Sequence, residues 1–489
     1  MAELNYRRLT SADSDDLRRW PWQHWAQRRP QQVALRVGDV TLSWTQLAQQ
    51  TERLAAGFRA QGVSPGCGVM LRAANSQDAV MAYLALLRCG ARLIPVNPQL
   101  PQTQLLALLP SLNPDFILNL AGDALPDIHP AGLKGQPRSA DPTLGPVALS
   151  LMTSEQASPY CWDSAAIATL TLTSGSGGLP KAVAHTFTAH LASAKGVNER
   201  LGFTAADAWL LSLPLFHVSG QGILWRWLAA GATLAIQGDR PLYEALAHCS
   251  FASLVPTQLW RLLQQRSLPA GLQTVLLGGS AIPDQLTQQA EARGITCWCG
   301  YGMTETASTV TVGRADGSGS VGRALDGHQI ALVAGEIRLK SAALGVGYWR
   351  SGELLPLTDD EGWFATRDRG RWSSSGLQVL GRTDNLFFSA GEGVQPELIE
   401  RILLQHPAVS QAFIVPLADE EYGHRPVALL ATTAPLSEIA CWARSRLAGF
   451  QRPVRWYPLP DLSGGGIKIA RRRLAEWVAD RHSVSAAQD

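Results

Sequence analysis

The sequence predicts an α/β protein: a large assembly of alternating strands and helices, followed by a small α+β tail domain. Three observations lead to that expectation. Short β-prone runs alternate with helically spaced apolar residues from Trp20 to Leu277. Strand-like segments with tight turns take over between Val321 and Val379, and the remainder returns to mixed helix and strand.

Taken in order, residues 1–18 mix charges without periodicity and read as a loose extension. Val33–Val37 reads as a strand, and Thr41-Leu-Ser-Trp opens a helix through Arg59 with Leu47, Leu54 and Phe58 on one face. Gly68–Leu71 is a strand, Ser76–Cys89 a helix and Ala91–Val96 a strand. Residues 122–147 hold five prolines and four glycines, which predicts an exposed connection. Strands at Trp209–Leu213, Thr233–Ile236, Ser253–Val255 and Thr274–Leu277 follow, with a helix at Gln221–Ala230. The β-rich stretch turns at Val333–Glu336 and Ser373–Gly376. Its successors are a helix at Pro396–Gln405, a strand at Ala412–Val415, a helix at Leu436–Leu447 and a basic helix at Arg471–Arg481.

Composition excludes several classes. The 489 residues are 46% hydrophobic and 17% charged, compatible with a large folded core. The 42 basic and 40 acidic side chains nearly balance, so no nucleic-acid footprint is expected. The opening residues lack the apolar core of a secretory leader. The apolar stretch Met81–Val96 is broken by Arg88 and Arg92, so no membrane span is expected. Seven scattered cysteines fit reduced thiols in a cytoplasmic protein, and Cys297 and Cys299 read as buried thiols rather than a metal site.

One stretch points to chemistry. Thr171-Leu-Thr-Ser-Gly-Ser-Gly-Gly-Leu-Pro-Lys-Ala182 offers backbone N–H groups, hydroxyls and one ammonium, the ingredients of a phosphate cradle. It is not the P-loop of NTPases. Pro180 stands where that pattern needs its second glycine, and Ala182 replaces the Ser/Thr after the lysine.

Other segments identify the kind of loop. Thr173–Ala182 resembles the phosphate loop T-S-G-[ST]-T-G-x-P-K-G of the adenylate-forming superfamily, which includes acyl-CoA synthetases, firefly luciferase and peptide-synthetase adenylation domains. Further motifs of that superfamily follow in order: Leu213-Pro-Leu-Phe-His217, Tyr301-Gly-Met-Thr-Glu305, Gly335–Lys340 with Gly347-Tyr-Trp349, Thr366-Arg-Asp368, Gly381-Arg-Thr-Asp384, Gly391–Glu397 and Gly466–Arg471. The resemblance implies a large N-terminal domain of α/β layers plus a β-rich subdomain, residues 19–383. It also implies a small mobile α+β C-terminal domain, residues 384–489, hinged at Asp384.

It further implies a two-step reaction, in which a carboxylate and ATP give acyl-AMP and pyrophosphate and a thiol then takes the acyl group. Thr173, Ser174, Gly175, Ser176, Gly177, Gly178 and Lys181 match the phosphate loop, with Gly177 in place of the usual threonine and Ala182 in place of glycine. Thr304 matches a phosphate-contacting hydroxyl and Glu305 the Mg²⁺-binding carboxylate. Asp368 matches the ribose-binding acid, and Arg382 a second ribose or phosphate contact. Gly278, Gly279 and Ser280 would receive the adenine, and Tyr301 and Gly302 match further nucleotide-binding positions. Lys468 matches the lysine bridging substrate carboxylate and α-phosphate, although Ile467 replaces the preceding glycine. His217 stands between acyl pocket and thiol, and Gly391 at the CoA channel.

Longer stretches resemble the o-succinylbenzoate–CoA ligase branch of menaquinone biosynthesis: Trp20-Pro-Trp-Gln-His-Trp25, Pro95–Pro101, Leu213–Gly222 with Trp225-Arg-Trp227, Leu254–Trp260 and Asp384–Ser389. That acid keeps one carboxylate after the other is activated, and the second needs a cation. Arg226 is the one charge in the apolar run Ser219–Ala230, so it is assigned to that carboxylate with Ser219 and Gln221 assisting. Thr257 is placed in the same pocket. The implied substrates are o-succinylbenzoate, ATP and CoA, with Mg²⁺ as cofactor. A homo-oligomer, another acid as substrate, and a non-catalytic nucleotide-binding paralogue remain open alternatives.

Overall fold

The computed structural model describes residues 19–122, 146–155, 160–173, 180–278, 282–389, 391–461 and 471–486. The expected extension at 1–18 and most of the connection at 122–147 therefore lie outside the described residues.

Two mixed sheets form the body. In the first, a central parallel run places Val33–Val37, Thr233–Ile236, Ala208–Leu211, Phe251–Leu254, Thr274–Leu277 and Thr296–Met303 side by side, with antiparallel strands at either edge. In the second, Val147–Leu149, Phe116–Asn119, Gly68–Arg72, Arg92–Val96 and Ile167–Leu172 run parallel. Ala182–Thr186 and Gly347–Arg350 then continue it antiparallel. A four-stranded antiparallel sheet, His328–Val333, Glu336–Ser341, Phe364–Ser373 and Gly376–Arg382, is the β-rich region expected from sequence. The tail contributes a sheet built on the long hairpin Val409–Asp419 and Gly423–Thr432.

Between the two large sheets lie the helices Trp44–Ala60, Gln77–Arg88, Phe187–Leu201 and Val218–Ala230, sharing one core with strands of both. Tryptophan dominates that core: Trp22, Trp44, Trp209, Trp225 and Trp227 are all almost fully buried. Such rings bury large apolar areas. They fix the Val218–Ala230 helix from several sides. Trp44 stacks on Trp227 at 5.3 Å, and the Trp25 indole N–H donates to the Leu228 carbonyl at 2.7 Å. Trp25 thus satisfies one of the last carbonyls of that helix, which have no partner within it.

One expectation is corrected. Val40–Ser43 is a strand paired with Val33–Val37, and the helix begins only at Trp44. Ser43 is its N-cap, its hydroxyl accepting from Gln46 N–H while the Gln46 side chain reaches back to Ser43 N–H. That reciprocal capping box marks the true helix start. The structure also adds helices absent from the sequence reading, at Pro21–Arg28, Gln102–Leu112, Phe187–Leu201, Leu242–Ala245, Pro256–Leu263 and Asp284–Ala292.

All seven cysteines are free thiols. Cys297 and Cys299 are buried on the strand Thr296–Met303, and burial pushes their thiols up to about 12 and about 11.

Candidate active site

The phosphate-loop sequence sits on a hairpin. Ile167–Leu172 and Ala182–Thr186 are antiparallel neighbours, and Thr173 N–H donates to the Lys181 carbonyl at 2.8 Å where the hairpin narrows. The P-loop of NTPases opens a helix instead, so the geometry separates the two as the sequence did. Ser174, Gly175, Ser176, Gly177 and Gly178 lie outside the described residues. Lys181, at the foot of the hairpin, places its ammonium 4.9 Å from the centre of the Tyr348 ring. The Tyr348 hydroxyl donates to Glu305 Oε1 at 2.8 Å. Burial, reinforced by the Glu305 charge, pushes the Tyr348 phenol above its usual range, so it remains a donor.

Glu305 belongs to a tightly held turn. Thr304–Thr306 forms a 3₁₀ turn after the strand Thr296–Met303, and Ala307 and Ser308 follow with φ of 50° and 131°. Positive φ is costly for residues with a Cβ, and three contacts hold the turn in place. His185 Nε2 donates to the Thr304 carbonyl at 2.7 Å, Gly345 N–H donates to the Glu305 carbonyl at 2.9 Å, and the Thr306 hydroxyl accepts from Met303 N–H at 3.2 Å. Gly302 is required there, because a Cβ would lie 1.8 Å from the Ser308 carbonyl oxygen.

A second cluster brings Asp368 and Arg382, both expected at the ribose, together with Tyr301 and Asp384. The Tyr301 hydroxyl donates to Asp368 Oδ2 at 2.6 Å, and Arg382 Nη1 lies 3.4 Å from Asp368 Oδ1. Burial raises the Asp368 carboxyl, while Tyr301 and Arg382 pull it back. Arg382 also donates to Asp384 Oδ2 at 3.1 Å, from the turn Thr383–Asn385. Gly278 follows the strand Thr274–Leu277, and a Cβ there would meet nothing within 4 Å among the described residues. Gly279 and Ser280 lie outside the described residues.

The third group rides on the Val218–Ala230 helix. His217 is its N-cap residue, with its ring 4.6 Å from Phe216, and Ser219 is half-buried in the first turn. Arg226 is 2% exposed. Its Nη2 donates to Ser308 Oγ at 3.1 Å and Thr309 Oγ1 at 3.0 Å, and its guanidinium lies 5.2 Å from the Trp209 ring centre. Gly222 makes room for this arrangement: a Cβ would lie 2.7 Å from Ser308 Oγ and 3.3 Å from Arg226 Nη2. Burial alone pulls the guanidinium down to about 9; among the described residues no acidic side chain offsets it and its Nε has no hydrogen-bond acceptor. Gln221 is fully buried, its Oε1 accepting from Thr171 and Tyr83. Thr257 is half-buried in the first turn of Pro256–Leu263.

In the tail, Gly391 has φ of 83° and precedes the strand Glu392–Val394. Lys468 lies outside the described residues. Arg471, three residues on, begins the helix Arg471–Ala486, and its guanidinium pairs with both oxygens of Glu400 and donates to the Ile414 carbonyl.

Residues 22–354 match the AMP-binding enzyme family and residues 398–463 match the AMP-binding enzyme C-terminal domain. The chain belongs to the AMP-binding enzyme family. Among its relatives, the 2-succinylbenzoate–CoA ligase of Salmonella typhimurium is 52% identical over 464 residues, covering 94% of this chain and 98% of that protein. Among solved structures, a variant of Escherichia coli MenE with bound OSB-AMS aligns with a TM-score of 0.84 at 49% identity, over 94% of this chain and 98% of that one. The o-succinylbenzoate coenzyme A synthetase (MenE) of Bacillus subtilis, in complex with ATP and magnesium ion, aligns with a TM-score of 0.77 at 27% identity, covering 93% and 99%.

Sequence reasoning about this AMP-binding enzyme missed several residues of the site. Tyr348 was legible only as the middle of Gly347-Tyr-Trp349. Ser308 and Thr309 follow the Tyr301–Glu305 motif directly, yet nothing in their spacing announces that they reach Arg226. His185 had no signal beyond being a histidine in a strand.

Among the described residues, no group of three or more His, Cys, Asp or Glu side chains stands together. Magnesium keeps several waters and takes substrate phosphates, needing one or two protein carboxylates. Glu305, with only Oε1 engaged by Tyr348, fits that demand. Among the same residues, no helix is long and apolar enough to cross a membrane.

Proposed function

We propose that this AMP-binding enzyme activates o-succinylbenzoate with ATP, releasing pyrophosphate, and transfers the o-succinylbenzoyl group from AMP to CoA for menaquinone synthesis in the cytoplasm. Arg226 carries the reading. A buried guanidinium with no acidic partner is costly, and a substrate that keeps a free carboxylate after activation supplies its counter-ion. A fatty acid or benzoate would leave Arg226 uncompensated. Ser308 and Thr309 aim the guanidinium, and Ser219 and Gln221 add neutral polar groups on the same helix.

The phosphates lie on Thr173–Lys181 and Thr304, with Lys181 as point charge. Glu305 holds Mg²⁺, which when bound offsets triphosphate charge as acid and nucleotide approach. Asp368 accepts the ribose hydroxyls, with Tyr301 and Arg382 fixing its orientation, while Gly278, Gly279, Ser280 and Gly302 leave the adenine a flat approach. Lys468 bridges the reacting carboxylate and the α-phosphate. Rotation of residues 384–489 about Asp384 then withdraws Lys468 and brings Gly391 to the thiol's channel beside His217. Thr257 closes the acyl pocket.

Acid-dependent pyrophosphate release over a panel of o-succinylbenzoate, benzoate, fatty and hydroxycinnamic acids, with CoA consumption followed in parallel, tests the reading. Strong preference for o-succinylbenzoate is expected. Preference for benzoate or a fatty acid overturns it.

A further inference from the structure

A polar seam crosses the tryptophan-rich core. His190, on the helix Phe187–Leu201, stacks face to face on Trp225 at 4.8 Å and places its Nε2 2.8 Å from Thr169 Oγ1. Thr169 Oγ1 lies 3.4 Å from Thr171 Oγ1, and Thr171 reaches Gln221 Oε1 at 3.3 Å. The Tyr83 hydroxyl meets the same Gln221 oxygen at 3.4 Å. Every member is at most 1% exposed. Buried polar groups left unpaired are expensive, so an all-buried seam joining a strand, two helices and the acyl helix calls for a reason.

The seam has one direction. Burial pushes the Tyr83 phenol above its usual range, so it keeps its proton, and Gln221 is the one hydrogen-bond acceptor for it among the described residues. The Gln221 amide therefore turns its oxygen to Tyr83; the flipped amide would strand a buried hydroxyl proton. Thr171, meeting the same oxygen, must donate to it and so accept from Thr169. Thr169, its single proton spent, must accept from His190. His190 is then the Nε2–H tautomer. Burial, with His185 at 5.0 Å, holds its ring neutral. The far end of the chain is Gln221 Nε2, fully buried and, among the described residues, without an acceptor.

We propose that His190, Thr169 and Thr171 form a directed hydrogen-bond relay that locks the Gln221 amide with its N–H groups free for an oxygen of the bound acid, making His190 and Thr171 positioning residues for acid specificity. The inference rests on the function proposed above, since it takes the acid as the missing acceptor. His190 acts from outside the pocket. It sets which end of Gln221 the substrate meets, through two hydroxyls each able to pass on only one direction. Acids offering an acceptor oxygen there gain a hydrogen bond, and acids offering a donor meet another donor.

The test is steady-state kinetics on the full chain, with KM for o-succinylbenzoate and for ATP measured separately. Thr171→Val and His190→Leu are each expected to raise the acid KM about tenfold, the scale of one lost hydrogen bond in a buried site, with the ATP KM within about twofold. Thr171→Ser and His190→Gln, which keep a hydroxyl and a donor at the ε position, are expected to restore it. The double variant should cost no more than either single one, because both cut the same chain. Parallel shifts in both KM values, additive losses, or unchanged acid KM in Thr171→Val overturn the relay. If His190→Leu does not fold, the Thr171→Val and Thr171→Ser pair decides alone. Failure of the function itself is distinguishable, because the unaltered chain would then release no pyrophosphate with o-succinylbenzoate.

Discussion

The Tyr348 hydroxyl and Glu305 Oε1 are 2.8 Å apart, and the ring that bears the hydroxyl also faces the Lys181 ammonium at 4.9 Å. One aromatic side chain thus sits between a cation from the phosphate-loop hairpin and the carboxylate of the Thr304–Thr306 turn. Tyr348→Phe keeps the ring and removes the tether. Adenylation kcat/KM for ATP is expected to fall about tenfold, as for one hydrogen bond to a charged group, with the acid KM nearly unchanged. Pyrophosphate release against ATP concentration reads both.

Arg226 supplies the converse selectivity. Arg226→Ala removes a buried donor held by Ser308 and Thr309, and the KM for o-succinylbenzoate is expected to rise about a hundredfold, since a buried charged pair is lost. The ATP KM should hardly move. Arg226→Lys keeps the charge but not the planar fork, so an intermediate value is expected. Equal losses for both substrates would refute the assignment.

His185 makes stability depend on acid pH. Burial pulls its ring down to about 4 from an ordinary 6.5, against the opposing bond to Thr304. The fold holds it neutral while the unfolded chain takes a proton below 6.5, so its stabilisation is complete above that pH and lost as pH falls from 6.5 towards 4. The slope is about 1.4 kcal/mol per pH unit for one such group. Melting temperatures between pH 7 and 4.5 should therefore drop less steeply for His185→Gln, which keeps a donor near Thr304, than for the native chain. Identical slopes would contradict the buried neutral ring.

In the tail, the part-buried Arg471 pairs with the buried Glu400, and Glu400 Oε1 also accepts from Ile414 N–H at 2.7 Å. Removing one partner of a fully buried pair costs about 3–5 kcal/mol, and the partial exposure of Arg471 places this pair below that range. Glu400→Ala should lower the thermal transition of the tail accordingly. Adenylation should suffer with it, because Arg471 anchors the chain three residues after Lys468. A variant with native stability would show that the pair is dispensable.

Gly177 stands where the superfamily's phosphate loop has threonine. Gly177→Thr adds a hydroxyl and removes backbone freedom, and kcat/KM for ATP in adenylation is expected to rise by about ten- to a hundredfold, as for one regained charged hydrogen bond. No gain would mean that the loop has adapted to glycine.

Much of this was legible beforehand, and for identifiable reasons. The strands Gly68–Arg72 and Thr274–Leu277 announced themselves because parallel strands buried on both faces read as continuous apolar runs. Glu305, Asp368 and Arg226 were legible as candidates because a charge inside a fixed motif or an apolar helix has few structural uses. The strand Val40–Ser43 was not, since four residues carry too little periodicity to separate a short strand from a helix start. Nor was the His190 seam. Its members come from positions 83, 169, 171, 190 and 221, and only the fold brings them into line.

The hairpin beneath the phosphate loop has one more consequence. A loop that opens a helix is constrained in length, because each residue added rotates the helix that follows. A loop that closes two antiparallel strands is free of that phase. Thr173 and Lys181 are already bonded to each other at its neck, and Ala182 and Val183 are registered against Trp349 and Tyr348 in the next strand. Residues can be gained or lost at the tip without shifting the strand that carries Lys181 past Tyr348. The proposed nucleotide grip is therefore open to variation in length as well as composition, while the sheet beneath it stays the same.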